Sequence, residues 1–190
     1  VKIAEDGEIL VSGENVMNGY WNDPDATSKT LINGWVHTGD IGEFDDEDYL
    51  KITDRKKDIL VNAGGDNISP TRVEAKLDIE PEIAQSMLYG DYKNYLVAVI
   101  VPDKDFAINW AKENSKDQVF ESIVKDADFN KRMKEIVNKV NKNLSVIEQV
   151  RKFILIDHEF TIENSMMTVS MKVRRFAVKD KYGDQLEKLY

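Results

Sequence analysis

The sequence predicts an α+β fold in two parts: a β-rich segment over residues 1–55, then a smaller mixed α/β segment over residues 56–190 with an added helical stretch. Three observations carry that prediction. Up to Thr53, short apolar runs alternate with glycine and asparagine turns, the pattern of strands joined by tight connections. The run Asp54-Arg-Lys-Lys-Asp58 then concentrates charge in front of the apolar Ile59-Leu60-Val61, as at a junction between packed units. Beyond it, two strand-like runs are followed by apolar residues at helical spacing, clearest at Phe129, Met133, Ile136, Val137, Val140 and Leu144.

In order along the chain, Gly7-Glu-Ile-Leu-Val-Ser-Gly13 reads as a short strand between glycines, and Asn18-Gly19 as a tight turn. Asp23 before Pro24 reads as a helix start. Phe44 to Ile52 has the look of a hairpin with an acidic turn. Gly64-Gly65 can adopt backbone conformations closed to other residues and lets a ligand approach the main chain. Ser69-Pro70 supplies an N-cap and first helical position for a helix over 70–78, with Val73 and Leu77 on one face. Ile83 to Tyr89 and Tyr95 to Val101 read as strands joined by the Gly90 to Asn94 turn. Helices are expected near 103–114, 117–125 and 127–144, then a strand over Phe153 to Ile156. A last helix is expected from about Lys172 to Tyr190, packing through Val173, Phe176, Ala177, Leu186 and Leu189.

Composition narrows the function. With 42% hydrophobic and 32% charged residues, the 190-residue chain has the make-up of a soluble globular protein. Its longest apolar run, Tyr95 to Val101, is strand-sized, so no transmembrane segment is expected. A net charge of −9 argues against nucleic acid as the main partner. No cysteine is present, which excludes disulfides and thiolate chemistry and fits a cytoplasmic location. The two histidines, His37 and His158, lie far apart, and no metal site is expected. Val1-Lys-Ile-Ala lacks an initiator methionine, so the chain is expected to be a piece of a longer one, ending at a natural terminus.

Three stretches could carry chemistry. Asp40, after Thr38-Gly39, presents a carboxylate suited to a vicinal diol such as a ribose, although such an Asp commonly caps a turn. Arg55 offers a fork of donors to hydroxyls or phosphate, and Lys57 a charged pivot, against the plainer reading of a solvated basic run. Lys172 with Arg174 and Arg175 could neutralise a phosphate or a developing oxyanion, or could simply open a helix. His158, between Asp157 and Glu159, is expected to be exposed, and the acidic run Asp45 to Asp48 to be a solvated hairpin tip.

In combination these segments resemble the C-terminal portion of an acyl-adenylate-forming enzyme, most like the long-chain fatty acid–CoA ligase group. Gly7-Glu through Gly19-Tyr20, Pro24 and Thr27 is similar to the family's Gly-Glu…Gly-Tyr…Pro…Thr motif. Trp35-Val-His-Thr-Gly-Asp40 resembles its Trp…Thr-Gly-Asp motif. Asp54-Arg55 through Glu74 resembles its hinge and glycine-loop motif, and Gly64-Gly-Asp-Asn-Ile-Ser-Pro70 has the form of the long-chain branch. Around Lys172 the chain departs from the family, with Thr168-Val-Ser170 in place of Thr-Pro-Thr and Glu163-Asn-Ser in place of Glu-Asn-Gly.

The resemblance implies an AMP-forming ligase that consumes ATP, a long-chain fatty acid and CoA. Residues 1–55 would end its large N-terminal domain and residues 56–190 would form its mobile C-terminal domain. It implies that Asp40 and Arg55 bind the nucleotide, Lys57 is the hinge, Gly64 and Gly65 meet the pantetheine arm of CoA, and Lys172 is the adenylation lysine. The Mg2+ ligand, the phosphate loop and the acyl tunnel would lie upstream, leaving this chain inactive alone. A cytoplasmic enzyme, free or peripheral to a membrane, fits the resemblance. The alternatives are a relative that loads a carrier-protein thiol and a non-catalytic binding module.

Overall fold

The computed structural model describes residues 1–190. They form two compact units, Val1–Ile59 and Leu60–Tyr190.

The first unit is a five-stranded antiparallel sheet. β1 (Lys2–Ile3) pairs with β2 (Glu8–Val11), α1 (Pro24–Thr30) follows, and β3 (Leu31–Ile32), β4 (Trp35–Phe44) and β5 (Leu50–Arg55) complete the sheet. The Asp23 side chain accepts the Ala26 N–H at 2.9 Å and starts α1, the cap its position before Pro24 predicts. β4 is the organising strand, pairing with β2, β3 and β5. Gly42 permits this crowding: a Cβ there would lie 2.5 Å from the Lys51 carbonyl and 2.7 Å from Ile9 Cδ1. The β4–β5 hairpin has the expected acidic turn, where Asp45 Oδ1 accepts the N–H groups of Glu47 and Tyr49 at 3.0 and 2.9 Å. Only Ile9 and Leu10 are buried apolar side chains in this unit, too thin a core to stabilise a domain unaided.

After a 3-10 turn at Lys56–Asp58, the second unit opens with the two-stranded hairpin of β6 (Leu60–Val61) and β7 (Asn67–Ile68). Then come α2 (Pro70–Asp78), β8 (Ile83–Tyr89), β9 (Leu96–Pro102), α3 (Lys104–Glu113), α4 (Phe120–Ile123), α5 (Ala127–Asn141), β10 (Val150–Leu155) and α6 (Arg175–Glu187). The main sheet runs β10-β9-β8, with β9 antiparallel to β8 and parallel to β10, so α3 to α5 form the crossover that a parallel pair requires.

β9 is buried along its whole length, and its period of two sorts its side chains into two cores. Leu96, Ala98 and Ile100 join Val73, Leu77, Phe129, Met133 and Ile136 on one side. Val97, Val99 and Val101 join Phe160, Met166, Val178, Tyr182 and Leu186 on the other. Helices therefore cover both faces, which is why β9 reads as an unbroken apolar run.

Two expectations are corrected here. The last helix begins at Arg175, not near Lys172, because residues 167–173 close a tight turn of their own: Met167 bridges Val173, the Thr168 N–H donates to the Lys172 carbonyl at 2.8 Å, and Met171 takes a φ of 59°. The buried stripe of α6 is Val178, Tyr182 and Leu186, spaced by four, and Phe176 stays 81% exposed. The stretch expected as a helix over 117–125 shortens to the single turn of α4.

Candidate functional site

In the first unit the β4–β5 pairing sets Asp40 directly opposite Arg55. Arg55 Nε donates to Asp40 Oδ1 at 2.9 Å, so the two residues that the sequence puts fifteen positions apart form one polar surface. Asp40 Oδ2 keeps its lone pairs and Arg55 its terminal N–H groups, so hydroxyl donors and phosphate oxygens both find partners there. An open cleft of about 320 Å³ adjoins them, lined by Thr38, Gly39, Arg55, Lys56 and Lys57. The residues present thus fit a nucleotide's ribose and phosphate. Lys57 lies in the 3-10 turn, exposed and without an ion pair.

Behind this surface stands a residue that the motif match contains but sequence reasoning gave no role: Glu8. It is 3% exposed. Its Oε1 accepts the Gly39 N–H at 2.8 Å, and its Oε2 accepts His37 Nδ1–H at 2.9 Å and Lys56 Nζ at 3.0 Å. Lys56 Nζ also reaches Asp6 at 2.6 Å, and the Asp6 and Glu8 hydrogen bonds raise the pKa of the ammonium. Burial pushes Glu8 upward, but the His37, Lys56 and Gly39 hydrogen bonds together outweigh it and leave its pKa lowered. Glu8 therefore anchors the turn that delivers Asp40, and His37 is structural. Its side chain faces a core polar group rather than the cleft.

A depressed folded pKa means that Glu8 contributes its full stability above its ordinary value of 4.5 and loses it as pH falls through the lower folded value. Glu8→Gln is expected to cost about 3 kcal/mol at neutral pH, the range for breaking a buried pair, and to flatten the acid limb. Chemical denaturation from pH 7 down to pH 3 measures both.

In the second unit Gly64 and Gly65 form the tip of the β6–β7 hairpin. Asn62 ties the tip together: its Oδ1 accepts the Gly64 and Asp66 N–H groups at 2.8 and 2.9 Å, and its carbonyl accepts Gly65 N–H at 3.0 Å. Gly65 sits at φ +88°, and a Cβ there would meet nothing within 4 Å, so its main chain is open to a ligand. The hairpin leans on the β8–β9 turn, with Tyr92 N–H on the Val61 carbonyl at 2.6 Å and Ala63 N–H on the Lys93 carbonyl at 3.0 Å.

Lys172 crowns the 167–173 turn, its N–H on Thr168 Oγ1 at 3.1 Å and its ammonium exposed and unpaired. The idea of a three-cation cluster is corrected. Arg175 makes a two-pronged bond to Glu74, Nη1–Oε1 2.6 Å and Nη2–Oε2 2.5 Å, and Arg174 Nη1 donates to the Ser165 carbonyl at 3.1 Å. Arg175 is thus committed to Glu74, whereas the Lys172 ammonium carries no ion pair. His158 is likewise not a free surface side chain: Nδ1 faces Asp157 at 2.7 Å, and Nε2 accepts the Tyr182 hydroxyl at 2.5 Å. Burial, then the Asp157 charge, pushes Tyr182 up to about 12. No group of three or more Asp, Glu, His or Cys side chains is placed to hold a metal ion. No helix is long and apolar enough to cross a membrane.

The order of elements is that of the C-terminal portion of an adenylate-forming enzyme. Residues 57–190 match the AMP-binding enzyme C-terminal domain, and the chain belongs to that family. It is 36% identical over 192 residues to the long-chain-fatty-acid–CoA ligase FadD15 of Mycobacterium tuberculosis, covering all of this chain and 32% of that protein. The human long-chain-fatty-acid–CoA ligase 1 is 34% identical over 189 residues, 97% of this chain and 27% of that protein. Among solved structures, the adenylation domain of a carboxylate reductase from Mycobacterium chelonae superposes with a TM-score of 0.81 at 29% identity, over 97% of this chain and 27% of that one. The chain thus spans about a third or less of the length of these relatives.

Proposed function

We propose that this chain is the C-terminal part of a long-chain fatty acid–CoA ligase that works in two half-reactions. The observation that carries this reading is the placement of two reactive elements on one packed unit. Lys172 precedes the first turn of α6, whereas the Gly64–Gly65 hairpin connects through Lys93 to Glu187 in its last turn. These attachment points are about 18 Å apart along the helix. Two elements attached at opposite ends of one helix suit alternating presentation by rotation about a hinge. The hinge in this reading is Lys57, and the boundary between the end of a large N-terminal domain and the mobile domain falls at residues 55 and 56. The thin core of residues 1–59 supports a large domain continued upstream.

In the first half-reaction, a fatty acid carboxylate oxygen attacks the α-phosphorus of ATP and the bond to pyrophosphate breaks. Asp40 accepts the ribose hydroxyls and Arg55 donates to the nucleotide. Lys172 draws the carboxylate onto the phosphate and stabilises the charge of the in-line transition state. In the second, the CoA sulfur attacks the acyl carbon and AMP leaves, with the exposed main chain at Gly64 and Gly65 accommodating the pantetheine arm. Mg2+ supplies phosphate charge neutralisation when bound, from ligands upstream of this chain.

A second reading is favoured by the fold likeness to a carboxylate reductase adenylation domain. In that reading the acyl-AMP passes to an acceptor other than CoA, such as a carrier-protein thiol. Incubating the full-length protein with ATP and palmitate separates the two. Palmitate-dependent pyrophosphate release followed by CoA-dependent AMP release and thioester formation is the expected result. Pyrophosphate release with no thioester on adding CoA supports the second reading, and no pyrophosphate release with any acid overturns both.

A further inference from the structure

We propose that α6 is held at its two ends by two side-chain clamps with separate duties, one setting the Lys172 turn and one setting the glycine hairpin. The inference rests on the roles proposed above for Lys172 and for Gly64–Gly65.

The first clamp is Glu74–Arg175. Glu74 is 8% exposed and spends its carboxylate on both α6 and the sheet: its two oxygens take the Arg175 guanidinium, and Oε1 also accepts the Leu88 N–H at 2.6 Å. Two parallel N–H···O bonds fix orientation as well as distance. Arg175 is three residues beyond Lys172, and the intervening turn is closed by Thr168 and Val173. Arg174 adds its N–H to the Met166 carbonyl at 2.7 Å. The contacts between clamp and lysine are tight, so the geometry of Glu74–Arg175 sets where the Lys172 main chain presents its side chain. The second clamp gathers on Glu187, which accepts Lys93 Nζ at 2.7 Å and the Tyr89 hydroxyl at 2.5 Å, while Lys93 also lies 4.8 Å over the Tyr190 ring. The Lys93 carbonyl holds the Ala63 N–H beside Gly64, so this end of α6 backs the hairpin. Lys93, Glu187, Glu74 and Arg175 are positioning residues, acting through the two loops.

The test is a double dissociation in the full-length protein, with adenylation and thioester formation from supplied acyl-AMP measured separately. Arg175→Lys keeps the charge and loses the fork. It is expected to lower the adenylation rate about 10- to 100-fold, the range for misplacing a reacting group by about 1 Å, and to leave the thioester step within about threefold. Glu74→Gln, which still accepts the Leu88 N–H, should do the same in a folded protein if Arg175→Lys fails to fold. Lys93→Met and Glu187→Gln should show the reverse pattern. A Lys172→Ala control distinguishes the two levels of the argument. If that control is selective for adenylation but the clamp variants depress both steps equally, or neither, the clamps are overturned and the lysine's role stands. If the control itself is not selective, the Lys172 reading falls and takes the division of duties with it.

Discussion

Lys172→Ala in the full-length protein is expected to cut the rate of acyl-adenylate formation by about 10²- to 10³-fold, the loss typical of removing one preorganised charge-stabilising donor. Thioester formation from supplied acyl-AMP is expected to stay within about threefold of the unaltered enzyme. The size follows from the surroundings. Arg175 is tied to Glu74 and Arg174 is bonded to the Ser165 carbonyl, so Lys172 is the cation of this turn with no hydrogen bond from its side chain. The alanine should fold, because the lysine side chain is exposed and the turn is held by the Lys172 N–H and carbonyl rather than by its ammonium. Single-turnover pyrophosphate release checks the first step, and a thiol-consumption assay with synthetic acyl-AMP checks the second. Equal loss of both would remove Lys172 from the adenylation step.

Lys57→Pro is expected to depress the second step instead, by at least about tenfold, with adenylation nearly unchanged. Lys57 lies in the short 3-10 turn that links β5 to the β6–β7 hairpin. Proline fixes φ near −65° and restricts the residue before it, which removes the backbone freedom a rotation needs. The side chain itself carries no ion pair, so Lys57→Ala should leave both steps almost intact and isolates the backbone effect. A normal thioester rate for Lys57→Pro would argue that the rotation occurs elsewhere in the linker.

Much of this protein was legible from residue order, and the reason is local. The Asp23 and Ser69 caps, the turns of the β4–β5 and β8–β9 hairpins, and the repeat of the α5 apolar stripe each depend on residues within a few positions of one another. Gly65 reads as a left-handed position from its own chemistry, and its φ of +88° is that conformation. Asp40, Arg55, Lys57 and Lys172 stood out as side chains with chemistry to offer, and their order along the chain carried the family resemblance.

What the tertiary structure decided is which of those charges are available. Arg175 and Lys172 look alike in sequence, yet one is locked to Glu74, 101 positions away, and the other is not. Glu8 looks like any strand carboxylate until β2 pairs with β4 and buries it beneath Gly39, His37 and Lys56. Phe176, expected to pack, stays exposed and Tyr182 is buried, because the turn at 167–173 delays the start of α6 and sets which helical face meets β9. Sequence by itself determined most of the elements, the family and the candidate chemistry, since these rest on short-range propensity and motif. Pairing, burial and the attachment of the glycine hairpin and the Lys172 turn to opposite ends of α6 arise from contacts between residues far apart in the chain, and only folding brings those together.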